Sequence, residues 1–186
     1  MTDVPARPAF LAPRVASGVG YVGGDTVPLD PLLDPLATVE VAFALGRDLD
    51  AGELGLGQVR RAVRYLAVAL CASGAGTEAS PADFVVGPRR LALDAVSVDG
   101  ARATIRVDGS AQHGMVGRDA VLALQALAQQ CSDAGQPLRA GDVVLSGGPV
   151  PACRITPGAH IVGEIDGLGR VAATFADPMA ASTRAS

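Results

Sequence analysis

Residues 38–45 read TVEVAFAL, and the alternation is strict: Val39, Val41, Phe43 and Leu45 fall on one face of an extended chain, and Thr38, Glu40, Ala42 and Ala44 on the other. An apolar face of this kind needs a packed layer against it, so the segment is expected to be a strand with one side in the core. The other face carries a carboxylate among small residues. Glu40 is therefore expected to face either solvent or an internal cavity. In a cavity without a metal, burial would penalise its charged form and suit it to general acid or base work.

The flanking sequence fixes the fold class. After the turn-rich GRDLDAGELGLG (46–57), the spacing of Val59, Ala62, Val63 and Leu66 predicts a short amphipathic helix with Arg60, Arg61 and Arg64 on its solvated side. A second strand is expected through Val68 and Leu70 to Cys71. Strands are then predicted at FVV (84–86), LALDAVSV (91–98) and ATIRV (103–107), with turn signals at Asp99-Gly100 and Asp108-Gly109. A second helix is predicted from Asp119 to Asp133, with Leu124, Leu127, Ala128 and Cys131 on one face and Gly135 and Pro137 ending it. VVLSGG, AHIVGEI, a DGLG hairpin and RVAATF follow. Strands and helices in this order predict an α+β domain with a mixed or largely antiparallel sheet. Residues 1–17 read as a Pro-rich arm, 18–177 as one domain, and 178–186 as a tail that frays.

Composition narrows the function. The chain has 186 residues, 49% hydrophobic, 18% charged and 3% aromatic, with 23 Gly and 13 Pro. One core suffices for that length. All 15 basic residues are arginine, since the sequence contains no lysine, which removes Schiff-base chemistry and a lysine general base. A net charge of -4 argues against nucleic acid or an anionic membrane as partner. The N-terminus lacks the apolar run of a signal peptide and no segment is long enough to span a membrane, so the expected location is cytoplasmic. Cys71, Cys131 and Cys153 are far apart and form no CxxC, which indicates neither a disulfide framework nor a structural zinc site. No Walker loop, dinucleotide fingerprint or GxSxG elbow is present.

VEVAFALGRDL (39–49), GRDAVLALQALAQQCSDAGQPLRAGDVVLSGG (117–148) and PGAHIVGEIDGLGRVAATF (157–175) resemble the 2-keto-4-pentenoate hydratase family of the fumarylacetoacetate hydrolase superfamily. The resemblance implies a mixed β-roll or flattened barrel with two or three flanking helices, assembled as a homodimer or larger homo-oligomer. It also implies Mg or Mn held by three carboxylates, with the metal chelating a 2-keto or 2-hydroxy acid and stabilising the developing enolate. Two of those carboxylates come from an E-x-E pair on the strand before AF.

This sequence departs from that pattern. The pair reads Thr38 and Glu40, the third carboxylate aligns with Cys71, and the serine that commonly follows the LSG strand end is Gly148. The family's lysine-bearing GRK segment is expected to lie before residue 1, and these 186 residues contain no lysine to substitute for it. One carboxylate with a hydroxyl and a thiol makes a poor Mg site, so no cofactor is expected unless Mg or Mn binds an altered set. Glu40 and His113 are the candidate catalytic residues, His113 because SAQHGMVG (110–117) reads as a substrate-facing loop. Thr38, Cys71, Glu78, Ser80 and Tyr21 are the candidate substrate-binding residues. Cys71 and Thr38 are expected to join Glu40 on one cavity face, Glu78 and Ser80 to lie near substrate, and Tyr21 to cover the pocket mouth. His160 is expected at the surface.

The expected function is therefore a divergent hydratase-family enzyme acting on a small unsaturated or enolisable carbonyl compound, keto acid or polyketide-like. Its chemistry would be metal-independent lyase, isomerase or cyclase chemistry in bacterial specialised metabolism. The alternatives are a metal-dependent hydratase or decarboxylase with a rearranged site using Glu40 and Glu78, and a non-catalytic partner subunit of such an enzyme.

Overall fold

The computed structural model describes residues 13–16, 20–28, 34–50, 52–74 and 83–176. The TVEVAFAL segment lies in the long strand β4 (Pro35–Leu45), the centre of the molecule; β1 (Arg14–Val15), β2 (Gly20–Val22) and β3 (Thr26–Pro28) precede it. A short helix α1 (Leu56–Ala62) leads directly into β5 (Val63–Gly74), which runs antiparallel to β4 along its whole length. There follow β6 (Asp83–Val86), the hairpin β7 (Arg102–Val107) and β8 (Ser110–Met115), helix α2 (Ala120–Asp133), β9 (Val143–Leu145), β10 (Cys153–Arg154), and the hairpin β11 (His160–Ile165) and β12 (Gly169–Ala176).

These strands make two mixed sheets. One runs β1-β9-β4-β5-β6-β2, with β10 also on β4, and the other runs β3-β12-β11-β7-β8. The pairs β2–β6 and β3–β12 are parallel and the remainder antiparallel. The result is the expected α+β roll with two helices among the described residues. The sheets do not close into a barrel there.

The alternation of β4 decides how the sheets pack. Val39, Val41, Phe43 and Leu45 join the main core with Leu66, Val68 and Leu70 of β5 and Ile161, Ile165, Val171 and Phe175 of the second sheet. The sheets meet closely at Gly163, where an added Cβ would lie 2.8 Å from Val39 Cγ2 and 3.0 Å from Leu70 Cδ2. Ala42, Ala69, Cys71, Phe84 and Leu145 form a separate small cluster. Helix α2 buries Leu124 and Ala128, with Leu127 and Cys131 packed against the core. Its Gln125 and Gln129 side chains bond the backbone of Gly52 and Leu54, tying it to the segment before α1.

Four expectations are corrected. The first helix stops at Ala62, so Val63, Arg64 and Leu66 belong to β5, because a run of β-branched and aromatic residues finds β4 as a ladder partner. LALDAVSV is not a strand: Leu91 makes one isolated bridge to Leu66, and the chain then curls into a 3-10 turn at Leu93–Ala95. SAQHGM is a strand rather than a loop, paired with β7 across the Asp108-Gly109 turn, where Asp108 and Gly109 both take positive φ. The N-terminal stretch is not wholly an arm, since Arg14–Val15 pairs with Leu145–Val144 of β9. The tail from residue 178 lies outside the described residues. Among those residues no helix is long and apolar enough to cross a membrane.

Gly163→Ala should lower stability by about 1–3 kcal/mol, because the new methyl meets the stiff β-branched Val39 and overpacks the contact between the sheets. A fall in the urea midpoint with unchanged slope is the expected result.

Candidate functional site

Residues directly opposite in an antiparallel ladder share a face, and β4 and β5 are in register with Thr38 opposite Cys71 and Glu40 opposite Ala69. Period 2 therefore sets Thr38, Glu40, Ala69 and Cys71 side by side, on the sheet face away from the main core. Ala69 and Ala42 supply no bulk, and the space they leave is filled by a charged side chain from elsewhere in the chain.

That side chain is Arg14. Strand β1 lies along β9, which lies along β4, and the arginine reaches inward to Glu40. Its Nη2 donates to Glu40 Oε1 at 2.7 Å and its Nη1 to Oε2 at 3.2 Å, a two-pronged ion pair. Nη2 also lies 3.1 Å from Cys71 Sγ. Thr38 Oγ1 donates to Glu40 Oε1 at 2.7 Å, and the Gly147 N–H donates to Oε2 at 2.9 Å. The side chain of Glu40 is 0% exposed and that of Arg14 is 23% exposed. A fully buried carboxylate is costly unless its oxygens are matched, and here each accepts two hydrogen bonds.

The electrostatics follow from this packing. Burial pulls the Arg14 guanidinium down, but Glu40 and Cys71 beside it outweigh that effect and hold it above its ordinary value. Burial, and then the Glu40 carboxylate, push the Cys71 thiol up to about 12 against the opposing pull of Arg14. Cys71 is thus a neutral thiol near pH 7 and a poor nucleophile.

The loop after β9 forms the outer wall. Ser146 ties it to β4, accepting from the Val41 N–H and donating to the Gly147 carbonyl. Gly148 lies against Thr38: an added Cβ would be 3.2 Å from Thr38 Cγ2. A serine at 148 would crowd that methyl, so threonine at 38 and glycine at 148 fit together. Beyond this loop is a cleft of about 230 Å³ lined by Pro13, Val116–Arg118, the first turn of α2 and Ser146–Pro149.

The structure thus unites three expected residues, Thr38, Glu40 and Cys71, and separates others from them. His113 was expected on a substrate loop. It is exposed on β8, bonded to Thr104 Oγ1 and on the opposite hairpin face from Gly114, the residue that abuts the Pro149 carbonyl. Tyr21 pairs through Val85 and Leu70 to Val39, which places it on the main-core face of the sheet, away from Glu40. His160 is exposed, as expected. Glu78 and Ser80 lie outside the described residues. Sequence reasoning missed Arg14. A buried Glu40 demands a cation, and with no lysine in the chain that cation has to be an arginine; pattern alone did not say which.

The sequence pattern of the fumarylacetoacetate (FAA) hydrolase C-terminal family matches residues 39–176. The chain belongs to the fumarylacetoacetate hydrolase family. Curated relatives include the 2-keto-4-pentenoate hydratase of Burkholderia vietnamiensis, 29% identical over 178 residues that make up 87% of this chain and 68% of that protein. The corresponding hydratase of Paraburkholderia xenovorans is 32% identical over 175 residues, 84% and 65% of the two chains. The chain spans about two thirds of the length of these relatives. Among solved structures, the 4-oxalocrotonate decarboxylase of Pseudomonas putida, complexed with magnesium and adipate, superposes with a TM-score of 0.74 at 22% identity, covering 84% of this chain and 66% of that one. This likeness supports the shared fold.

The divalent metal that the fumarylacetoacetate hydrolase family implies does not fit these residues. A hard cation needs several charged oxygens, whereas the cluster offers one carboxylate, a neutral hydroxyl and a soft sulfur. Both Glu40 oxygens are already bonded to a guanidinium. Among the described residues no group of three His, Cys, Asp or Glu could hold a metal ion.

Arg14→Met should destabilise the fold by about 3–5 kcal/mol, because it leaves a buried carboxylate without its partner. The double variant Arg14→Met/Glu40→Leu should recover most of that loss, and chemical denaturation at pH 7 measures both. Alkylation at pH 8 followed by mass spectrometry should label the partly exposed Cys131 well before Cys71. In the folded state Cys71 keeps its proton above the usual thiol range, so its contribution to stability is complete below about pH 9. It should be lost as the pH rises toward about 12, visible as a falling denaturation midpoint that a Cys71→Ala variant shows less steeply.

Proposed function

We propose that the chain is a divergent enzyme of the hydratase type that acts on a small unsaturated or enolisable carbonyl compound, a keto acid or polyketide-like molecule, by metal-independent lyase, isomerase or cyclase chemistry. The observation that carries this reading is the Arg14–Glu40–Thr38–Cys71 cluster, whose donor set suits a guanidinium and not a hard divalent cation. The curated relatives support the class, since those named above are hydratases of a 2-keto acid.

Such reactions build negative charge on a carbonyl oxygen as a proton passes from the neighbouring carbon to a water molecule, and a fixed positive charge beside that oxygen lowers the barrier. In this site the positive charge is an arginine. Glu40 fixes that arginine; with both oxygens engaged it is not free to shuttle protons, so the acid or base role first expected for it becomes one of anchoring. The cleft of about 230 Å³ is smaller than sites for drug-sized ligands, which restricts the substrate to a few carbons or to the reacting end of a longer chain.

The test is solvent deuterium exchange into 2-keto-4-pentenoate and related 2-keto acids, followed by NMR in the presence and absence of EDTA. Exchange at the carbon next to the keto group should be accelerated by the protein and unaffected by EDTA. Exchange abolished by EDTA and restored by Mg or Mn would establish the metal-dependent alternative instead. No acceleration with any of the acids would favour a non-catalytic subunit.

A further inference from the structure

Arg14 is the one member of the buried cluster that solvent reaches: its side chain is 23% exposed and that of Glu40 is 0% exposed. A guanidinium carries five N–H donors in a fixed plane. Three are directed at the Glu40 oxygens and Cys71 Sγ. The Nε–H and one Nη1–H have no partner among the described residues. The two-pronged pair holds the plane of the group, so these donors are pre-oriented rather than free to swing.

The surroundings suit an anionic oxygen ligand. One guanidinium matched by one carboxylate, with a neutral hydroxyl and a neutral thiol, leaves the cluster without the net negative charge that would repel an anion. Pro13, next to Arg14, and Gly147, which donates to Glu40, both line the adjacent cleft, so the cluster and the cleft share a wall. Gly148 lines the same wall, and its N–H has no partner among the described residues. Arg118 also lines the cleft, is exposed, and makes no ion pair among the described residues.

Resting on the function proposed above, we propose that Arg14 is the substrate-binding cation of this site, holding a carboxylate or enolate oxygen of a short 2-keto acid with the N–H donors that Glu40 and Cys71 leave free. Glu40 and Thr38 are then positioning residues that act through Arg14. The chain carries in its own N-terminal strand the positive charge that a divalent ion supplies in a metal-dependent site.

The experiment uses oxalate, a planar dianion with the shape of a 2-keto acid enolate, titrated calorimetrically into the full chain in EDTA. Wild type should bind oxalate without metal. Arg14→Lys keeps a cation beside Glu40 and should melt well above Arg14→Met, yet lose at least about tenfold in oxalate affinity because the fork is gone. Glu40→Gln should weaken oxalate binding less than Arg14→Lys does. In protein labelled with 15N-arginine, the Nε–H resonance that disappears in Arg14→Lys should shift on adding oxalate, a signal that a purely structural arginine would not give. Oxalate affinity equal in wild type and Arg14→Lys, an unmoved Nε–H resonance, or no oxalate binding in EDTA would each overturn the assignment of Arg14. Equal affinities in EDTA leave metal independence standing, whereas binding that appears only with added Mg overturns metal independence as well.

Discussion

The structure around β4 turns on one constraint: a carboxylate with no access to water must be matched from within the protein. Glu40 occupies the middle of a strand buried on both faces, where an unmatched charge would cost several kcal/mol. Its four hydrogen bonds come from three different stretches of chain. Thr38 is on the same strand, Gly147 follows β9, and Arg14, which supplies two of the bonds, comes from β1 and also contacts Cys71 of β5. The ordering of β1, β9, β4 and β5 in the sheet is what brings these groups together.

The same constraint accounts for the residue types around Glu40 as a set. Once a guanidinium sits against Glu40, a second and third carboxylate nearby would be surplus charge, and a hydroxyl and a neutral thiol serve better. Thr38 donates to Glu40, and its methyl packs on Gly148, so the residue types at 38 and 148 are linked by contact. The lack of lysine then has a structural counterpart. The planar fork of arginine can bond both Glu40 oxygens at once, which a lysine ammonium, as a compact point charge, would not reproduce.

Much of the fold was legible because its signals are local. The alternation of residues 38–45 placed Glu40 and Thr38 on one face, and the β5 segment added Cys71 to it; both follow from the period of a strand. Helix α2 was equally clear from spacing and from its Gly135 and Pro137 stop. Strand β1 was illegible for the opposite reason. Two residues cannot show a period, and what makes them a strand is a partner, β9, far along the chain. The polar β8 carried no apolar alternation and is held by ladder hydrogen bonds to β7 and a tight turn. His113 and Tyr21 were misplaced because spacing shows that a residue is near a motif, but not which side of a sheet it faces.

A cation bound from solution has an affinity and an occupancy that follow its concentration. Arg14 is tethered, so its occupancy of the Glu40 site equals the fraction of molecules in which β1 is docked on β9. That docking rests on a short ladder, Arg14–Val15 against Val144–Leu145, extended by the Ala16 N–H to the Val143 carbonyl, and on the ion pair itself. Local opening of this terminal strand and loss of charge from the site are therefore a single event, governed by the free energy of one edge strand and not by the supply of an ion.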